Sequence, residues 1–314
     1  MTGRAVAAGE GSAPAVALPP GATAPDLIFR IAAEDGIGLR AAIWRGGGRG
    51  LALLLPGRTE FIEKVALPAT ALRRLGFAVA SLDWRGQGLS DRLLAEPLKG
   101  HVDDFAEYDR DLAALMAAGP VAAEGAPRLV VAHSMGGTIA LGPAQARIGG
   151  LPIVLTAPLL GIAFPAGVRT AAALLPRLAT VMGYAGRWPP VGDPEVPYPL
   201  RTAAEANALT GDPALFNWLL RAIADEPRFA LAMPTLGWFR AAERAIQVAR
   251  QARPSRAFVA LGGAEAIVDA AAIRRFAREA GAEFLEIPEG RHDLPIETEA
   301  IRAQIWAAVD RFVG

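Results

Sequence analysis

The stretch RLVVAHSMGGTIA, residues 128–140, decides how the rest of the chain is read. Leu129, Val130 and Val131 make a short apolar run of the kind buried in a sheet, and residues 135–146 restart as a helix of small side chains. Ser134 stands in the turn between them. A strand-to-helix turn this sharp brings the flanking residues against neighbouring backbone, so small side chains are needed there while the hydroxyl projects outward. The G-x-S-x-G pattern of such turns appears here as Ala132-His133-Ser134-Met135-Gly136, with alanine in the first glycine position. Ser134 is therefore a candidate nucleophile, the bland alternative being a serine in an ordinary tight turn.

Upstream of this stretch, residues 27–33 and 39–44 flank a turn at Glu34-Asp35-Gly36 and predict an antiparallel edge pair. Residues 51–55, LALLL, form a continuous apolar run ending at Pro56-Gly57, as in a strand buried on both faces. A helix over 65–75 and a strand over 77–82 begin a β-α-β alternation. The next helix, 103–118, carries Phe105, Tyr108, Leu112, Leu115 and Met116 on one side and leads into the strand before Ser134. Residues 151–156 are the strand after it.

Between about residues 158 and 237 the alternation fails, and Pro189, Pro190, Pro194, Pro197 and Pro199 separate short apolar segments. An inserted helical cap over 159–236 is expected. Its bulky residues, among them Phe164, Leu174, Leu175, Trp188, Tyr198, Phe216, Trp218, Leu219 and Phe229, should mostly pack the cap onto the core, with a few lining an acyl-sized pocket. Alternation then resumes with helix 238–251, strand 257–261, helix 270–280, strand 283–287 and helix 296–312. The order predicts an α/β fold, a mostly parallel central sheet with helices on both faces, its core drawn from residues 26–158 and 237–314. Reactive groups of such sheets gather at the carboxyl ends of the strands.

Composition removes several classes of function. Lys plus Arg and Asp plus Glu number 32 each, so no overall field recruits nucleic acid. The absence of cysteine excludes disulfides, thiolate metal sites and a cysteine nucleophile. His101, His133 and His292 are few for a histidine metal site and none pairs at i, i+4, so no metal is expected. Residues 1–25, rich in Ala, Gly and Pro, read as a flexible tail without a signal-peptide run. No segment of about 18 apolar residues occurs, so no transmembrane helix is expected and the protein should be soluble and cytoplasmic, with at most transient contact between the cap and a membrane surface.

Three strand ends carry the groups that acyl transfer needs. Ser134 follows one, Glu265 and Asp269 follow strand 257–261, and His292 follows strand 283–287. A serine hydroxyl needs a histidine to take its proton and a carboxylate to hold that histidine in the right tautomer. Glu265, just past its strand end, is the favoured acid. Asp269 is the alternative acid but also suits the N-cap of the following helix. Asp293, beside His292, is a third candidate, expected instead to be a solvated carboxylate. The backbone amides of Met135 and of Arg58, in the loop after residues 51–55, are the expected oxyanion donors. The Arg58 side chain is expected to pair with Glu60 or Glu63, and no binding role follows from it.

PGRTEFIEK (56–64), LDWRGQGLSDR (82–92), HVDDFAEYDRDL (101–112), AHSMGG (132–137) and TAPLLGI (156–162) together resemble the bacterial lysophospholipase and monoacylglycerol-lipase group of α/β hydrolases, often labelled serine aminopeptidase-like. The resemblance runs from about residue 27 to the end. It implies an α/β-hydrolase core, a helical cap, no cofactor and hydrolysis of lipid esters with one acyl chain. By position it matches Ser134 to the nucleophile, His292 to the base, Glu265 to a place usually held by aspartate, and Arg58 and Met135 to the oxyanion amides. Pro56-Gly57 replaces the His-Gly pair common in monoacylglycerol lipases. Asp83, Arg85, Asp91 and His101 lie in matching motifs and are expected to be structural, the aspartates and arginine pairing with each other and with backbone.

These readings predict a serine carboxylester hydrolase acting on a small-molecule ester or lipid. A peptidase or amidase on the same fold is the second reading. The third is a catalytically silent binder of a hydrophobic ligand.

Overall fold

The computed structural model describes residues 13–164 and 167–314, with the side chains of 169–173 left out. Residues 1–12 of the N-terminal tail expected over 1–25 thus lie outside the described residues; from Ala15 onward the tail packs on the body, since the Ala15 amide donates to Glu63 and the Trp218 indole donates to the Ala17 carbonyl. Among the described residues no helix is long and apolar enough to cross a membrane.

In chain order the structure runs β1 (Leu27–Ala32), β2 (Gly38–Trp44), β3 (Leu51–Leu55), α1 (Ile62–Arg74), β4 (Ala78–Asp83), α2 (Ala106–Ala117), the single turn α3 (Gly119–Ala122), β5 (Pro127–His133), α4 (Met135–Leu141), the single turn α5 (Gln145–Ile148) and β6 (Ile153–Thr156). After these come α6 (Arg169–Val181), α7 (Pro213–Asp225), α8 (Leu236–Ala249), β7 (Ala257–Gly262), α9 (Ala270–Glu279), β8 (Glu283–Ile287) and α10 (Glu299–Val313). The strands join in the order β1-β2-β4-β3-β5-β6-β7-β8. β1, β2 and β4 pair antiparallel, and all other pairs are parallel. This is the α/β-hydrolase arrangement expected from the sequence.

Two apolar layers hold it. Alternate strand residues such as Leu53, Leu55, Val130, Leu155 and Val259 pack against Tyr108, Leu112, Ile139, Trp238 and Phe276 of α2, α4, α8 and α9. The opposite alternation, including Leu54, Val131, Val154 and Phe258, packs against Val65, Leu72, Ile305 and Phe312 of α1 and α10. Helices therefore cover both faces, and the central strands are buried along their whole length because neither face meets water.

Two local expectations need correction. The helix read over 135–146 is broken: Gly142, at φ −110° and ψ −104°, ends α4, because the residue before Pro143 is pushed out of helical backbone and Pro143 offers no amide. α1 starts at Ile62 rather than at residue 65, since the Asp83 carboxylate reaches from β4 to accept the Ile62 amide at 2.8 Å.

Between β6 and β7, residues 157–256 add no strand to the sheet among the described residues. Phe216, Trp218, Leu219 and Phe229 are buried as expected of packing residues, and Phe229 stacks on Phe61 with ring centroids 3.9 Å apart. Leu174 and Leu175 are not. With Leu178, Val181 and Met182 they form an exposed apolar side of α6 and its end, Val181 at 88% exposure.

Candidate active site

Strand register brings the candidate residues together. His133 pairs with Thr156, Thr156 with Ala260, and Gly262 with Ile287, so the loops after β5, β6, β7 and β8 leave one edge of the sheet side by side. Ser134 leaves β5 at φ 48° and ψ −115°, a conformation that costs a non-glycine residue about 1–3 kcal/mol. Thr59 (φ 68°) and Ala157 (φ 43°), in the two neighbouring loops, also have positive φ. The turn closes only because Gly136 has no side chain: a Cβ there would lie 2.2 Å from the Leu55 carbonyl oxygen. Ala132, in the first glycine position, is a strand residue that packs in the core, so its methyl is accommodated.

The Ser134 Oγ lies 3.0 Å from Nε2 of His292, and the His292 Nδ1 lies 2.7 Å from Oε2 of Glu265. A carboxylate can only accept, so Nδ1 carries the proton and Nε2 is left to accept from the serine hydroxyl. Glu265 is fixed by its other oxygen, which accepts the Ile267 and Val268 amides at 2.7 and 3.0 Å. Burial pushes its carboxyl up, but the His292 charge and hydrogen bond together with those two amides outweigh burial and hold it below its ordinary value. The arrangement is a path along which a serine proton can move to an imidazole whose tautomer is set by an ionised acid.

Asp269, the alternative acid, instead accepts the Ala272 amide at 3.0 Å and caps α9. The Arg58 and Met135 amides donate to no acceptor among the described residues. Gly57 abuts the serine, since a Cβ on it would stand 3.1 Å from Ser134 Cβ.

Three expectations fail on geometry. Asp293 is buried rather than solvated, because it accepts from Lys64 Nζ at 2.7 Å and from His133 Nε2 at 3.1 Å. The Arg58 side chain pairs with neither Glu60 nor Glu63, whose carboxylates are taken by Lys64 and Arg40. It turns toward residues 231–238, donating from Nη2 to the Ala232 carbonyl at 2.8 Å with its guanidinium 5.6 Å from the Trp238 ring centre. Its Nε is buried without an acceptor among the described residues, and burial lowers the pKa of the guanidinium to about 10. Asp83 and Arg85 do not pair with each other: Asp83 pairs with Arg40, and Arg85 with Asp35, Glu107 and Asp111. Asp91 bonds Arg30, and His101 bonds Thr235 and Asp103.

Lys64 and Arg291 went unnoticed in the sequence. Glu60 and Lys64 at i, i+4 were the signal for the first, a charged pair where a core-facing helix begins. Arg291 donates to the Asn207 and Thr210 carbonyls, while the His292 and Asp293 amides donate to those of Ala208 and Leu209, so the histidine loop is tied to residues 207–210. Side-chain atoms of His133, His292 and Asp293 also gather within 4.8 Å, but each is already engaged in the hydrogen bonds above, which suits a polar network better than a metal site. A cavity of about 400 Å³, lined by Arg49, Phe77, Arg128 and Arg256, opens at the other end of the strands and adjoins none of these groups.

Comparison with known proteins agrees with this fold. The chain is 36% identical over 198 residues to lysophospholipase L2 of Escherichia coli (strain K12), a match covering 60% of this chain and 54% of that protein, so it spans about half the length of that relative. It is 27% identical over 273 residues to the probable lysophospholipase L2 of Haemophilus influenzae, covering 85% of this chain and 84% of that one. Among solved structures it resembles a soluble variant of monoglyceride lipase from Saccharomyces cerevisiae in complex with a substrate analog (TM-score 0.69, 20% identity, 95% of this chain and 98% of that one). It also resembles the monoacylglycerol lipase of Paleococcus ferrophilus (TM-score 0.65, 18% identity, 88% and 98%). Residues 47–299 match the family described as serine aminopeptidase, S33, and the chain belongs to that family of α/β hydrolases.

Proposed function

We propose that the protein is a serine carboxylester hydrolase of lipid esters with one acyl chain. The observation that carries this reading is the unbroken hydrogen-bonded sequence from Ser134 through His292 to Glu265 at one sheet edge. Ser134 Oγ attacks the ester carbonyl carbon while its proton passes to His292 Nε2, with Glu265 holding the imidazole and facing the imidazolium that forms. The Met135 and Arg58 amides receive the negative charge on the carbonyl oxygen; the first opens a helix, where unsatisfied amides already favour an anion. The tetrahedral intermediate collapses, His292 returns the proton to the leaving alcohol, and water, activated by the same imidazole, releases the fatty acid from Ser134.

Residues 159–236 act as the cap in this reading, between core parts 26–158 and 237–314, and their ties to the histidine loop support that division. The Arg58 guanidinium, which has no carboxylate partner among the described residues, favours an anionic head group and hence a lysophospholipid over a monoacylglycerol. The names of the curated relatives point the same way. The exposed apolar side of α6 supports contact with a lipid surface.

The test is a fluorophosphonate probe with parallel turnover assays. Wild type should be labelled and Ser134→Ala should not, and a lysophospholipid should be hydrolysed faster than an aminoacyl amide. Equal labelling of both proteins defeats the mechanism; preference for the amide defeats the substrate class and favours a peptidase.

A further inference from the structure

Each of the three loops that carry the proposed chemistry has a chain neighbour leading to one ammonium group. Gly57 precedes Arg58, His133 precedes Ser134 and Asp293 follows His292. Lys64 Nζ lies 2.7 Å from Asp293 Oδ2 and 3.2 Å from Glu60 Oε1. The other Glu60 oxygen accepts the Gly57 amide at 2.5 Å, and the other Asp293 oxygen accepts from His133 Nε2 at 3.1 Å. The far side of His133 faces the Thr156 carbonyl and hydroxyl, both at 3.0 Å, so the network also reaches the end of β6.

Nothing in the packing of α1 asks for a charge here. Lys64 is 2% exposed, Glu60, His133 and Asp293 are equally enclosed, and α1 buries apolar residues on either side. Removing several charges from water costs stability that an apolar side chain of the same length would not forfeit. What the charges provide is direction: an ammonium between two carboxylates holds each at hydrogen-bond distance, where apolar contact would let the loops slide. Two carboxylates face Lys64 and His133, so the cluster is neutral when His133 is protonated. Burial alone would lower the His133 pKa, yet Glu60 and Asp293 raise it above the ordinary value.

We infer that Lys64 is a positioning residue for acyl transfer: through Asp293 and Glu60 its ammonium sets the separation between His292, Ser134 and the Arg58 amide. This rests on the reading of Ser134, His292 and Glu265 as an acyl-transfer site. Lys64 touches no substrate atom, and its effect is on the rate of the step these loops perform together.

The experiment uses Lys64→Met and the neutral triple variant Glu60→Gln/Lys64→Met/Asp293→Asn, with a soluble nitrophenyl ester, fluorophosphonate labelling of Ser134 and thermal melting. Lys64→Met should lose both melting temperature and kcat, because two buried carboxylates are left with only the His133 imidazolium as counterion. The triple variant should recover melting temperature while kcat and the labelling rate stay about 10- to 100-fold below wild type, with KM changed less than about twofold, as misplacement of reacting groups predicts. If kcat returns with melting temperature in the triple variant, or Lys64→Met keeps wild-type kcat, the inference is overturned. Should Lys64→Met fail to fold, the triple variant carries the test. Wild-type protein that resists labelling defeats the acyl-transfer reading itself, whatever the Lys64 variants do.

Discussion

Glu265 Oε2 stands 2.7 Å from Nδ1 of His292, while Asp269, four residues further on, caps α9 instead. One loop thus divides two carboxylates between two tasks, and the division has separable consequences.

Glu265→Gln should lower kcat by about 1,000- to 10,000-fold with KM little changed, since an amide does not hold the charge-stabilised tautomer of the histidine. Asp269→Ala should leave kcat within about threefold and cost about 1 kcal/mol of stability, the usual loss at an N-cap. Steady-state kinetics and urea unfolding on both variants check this; a large kcat loss in Asp269→Ala with Glu265→Gln active would reverse the assignment.

Gly136→Ala should destabilise the fold by about 3 kcal/mol and abolish activity, because the added methyl meets backbone that cannot yield: the Leu55 oxygen at 2.2 Å and the Pro56 oxygen at 2.7 Å. Melting temperature is the readout. A stable, active variant would mean that the turn is looser than described.

Acid should weaken the protein through Glu265 and Asp293. In each, burial raises the carboxyl, but the facing charges win, His292 for Glu265 and Lys64 then His133 for Asp293, so both folded values lie below the ordinary 4.5 and 3.8. A depressed carboxyl binds its proton more readily in the unfolded chain. Its stabilisation is therefore complete above the unfolded value and is lost as pH falls toward the folded one. Urea unfolding should show stability falling below about pH 4, with a shallower fall in Asp293→Asn. An unchanged slope in that variant would count against a depressed Asp293.

Arg58→Gln should reduce the preference for an anionic lysophospholipid over a monoacylglycerol of the same chain length by at least about tenfold, the size of one charged hydrogen bond. The ratio of the two kcat/KM values is the measurement, so any common effect on the Arg58 amide cancels. An unaltered ratio removes the head-group role.

Val181→Asp or Leu178→Asp should weaken sedimentation with phospholipid vesicles about tenfold, the loss of one buried apolar side chain. Vesicle binding equal to wild type would show that this side of α6 faces something other than lipid.

Much of this was legible in the chain. Residues 51–55 and 283–287 are strands over the expected spans, because an apolar run between turn residues has few other places to go. The expected bend at Ser134 is present, since serine between small residues suits a sharp strand-to-helix turn. Helix limits were less legible. Gly142-Pro143 stops α4 within two turns, and Asp83, a strand residue distant in sequence, supplies the cap that starts α1 early.

Local periodicity is a property of neighbours along the chain, so the sequence alone determined which segments are strands, their parallel arrangement, and that Ser134, Glu265 and His292 follow strand ends. The partner of a buried charge is a property of space. Asp293 looked like a surface acid until α1 brought Lys64 against it across 229 residues, and Arg58 looked paired until Lys64 and Arg40 took its expected carboxylates. Only the tertiary structure decided those pairings, because a buried carboxylate takes whichever donor packing sets at hydrogen-bond distance, and packing joins residues that no spacing in the sequence relates.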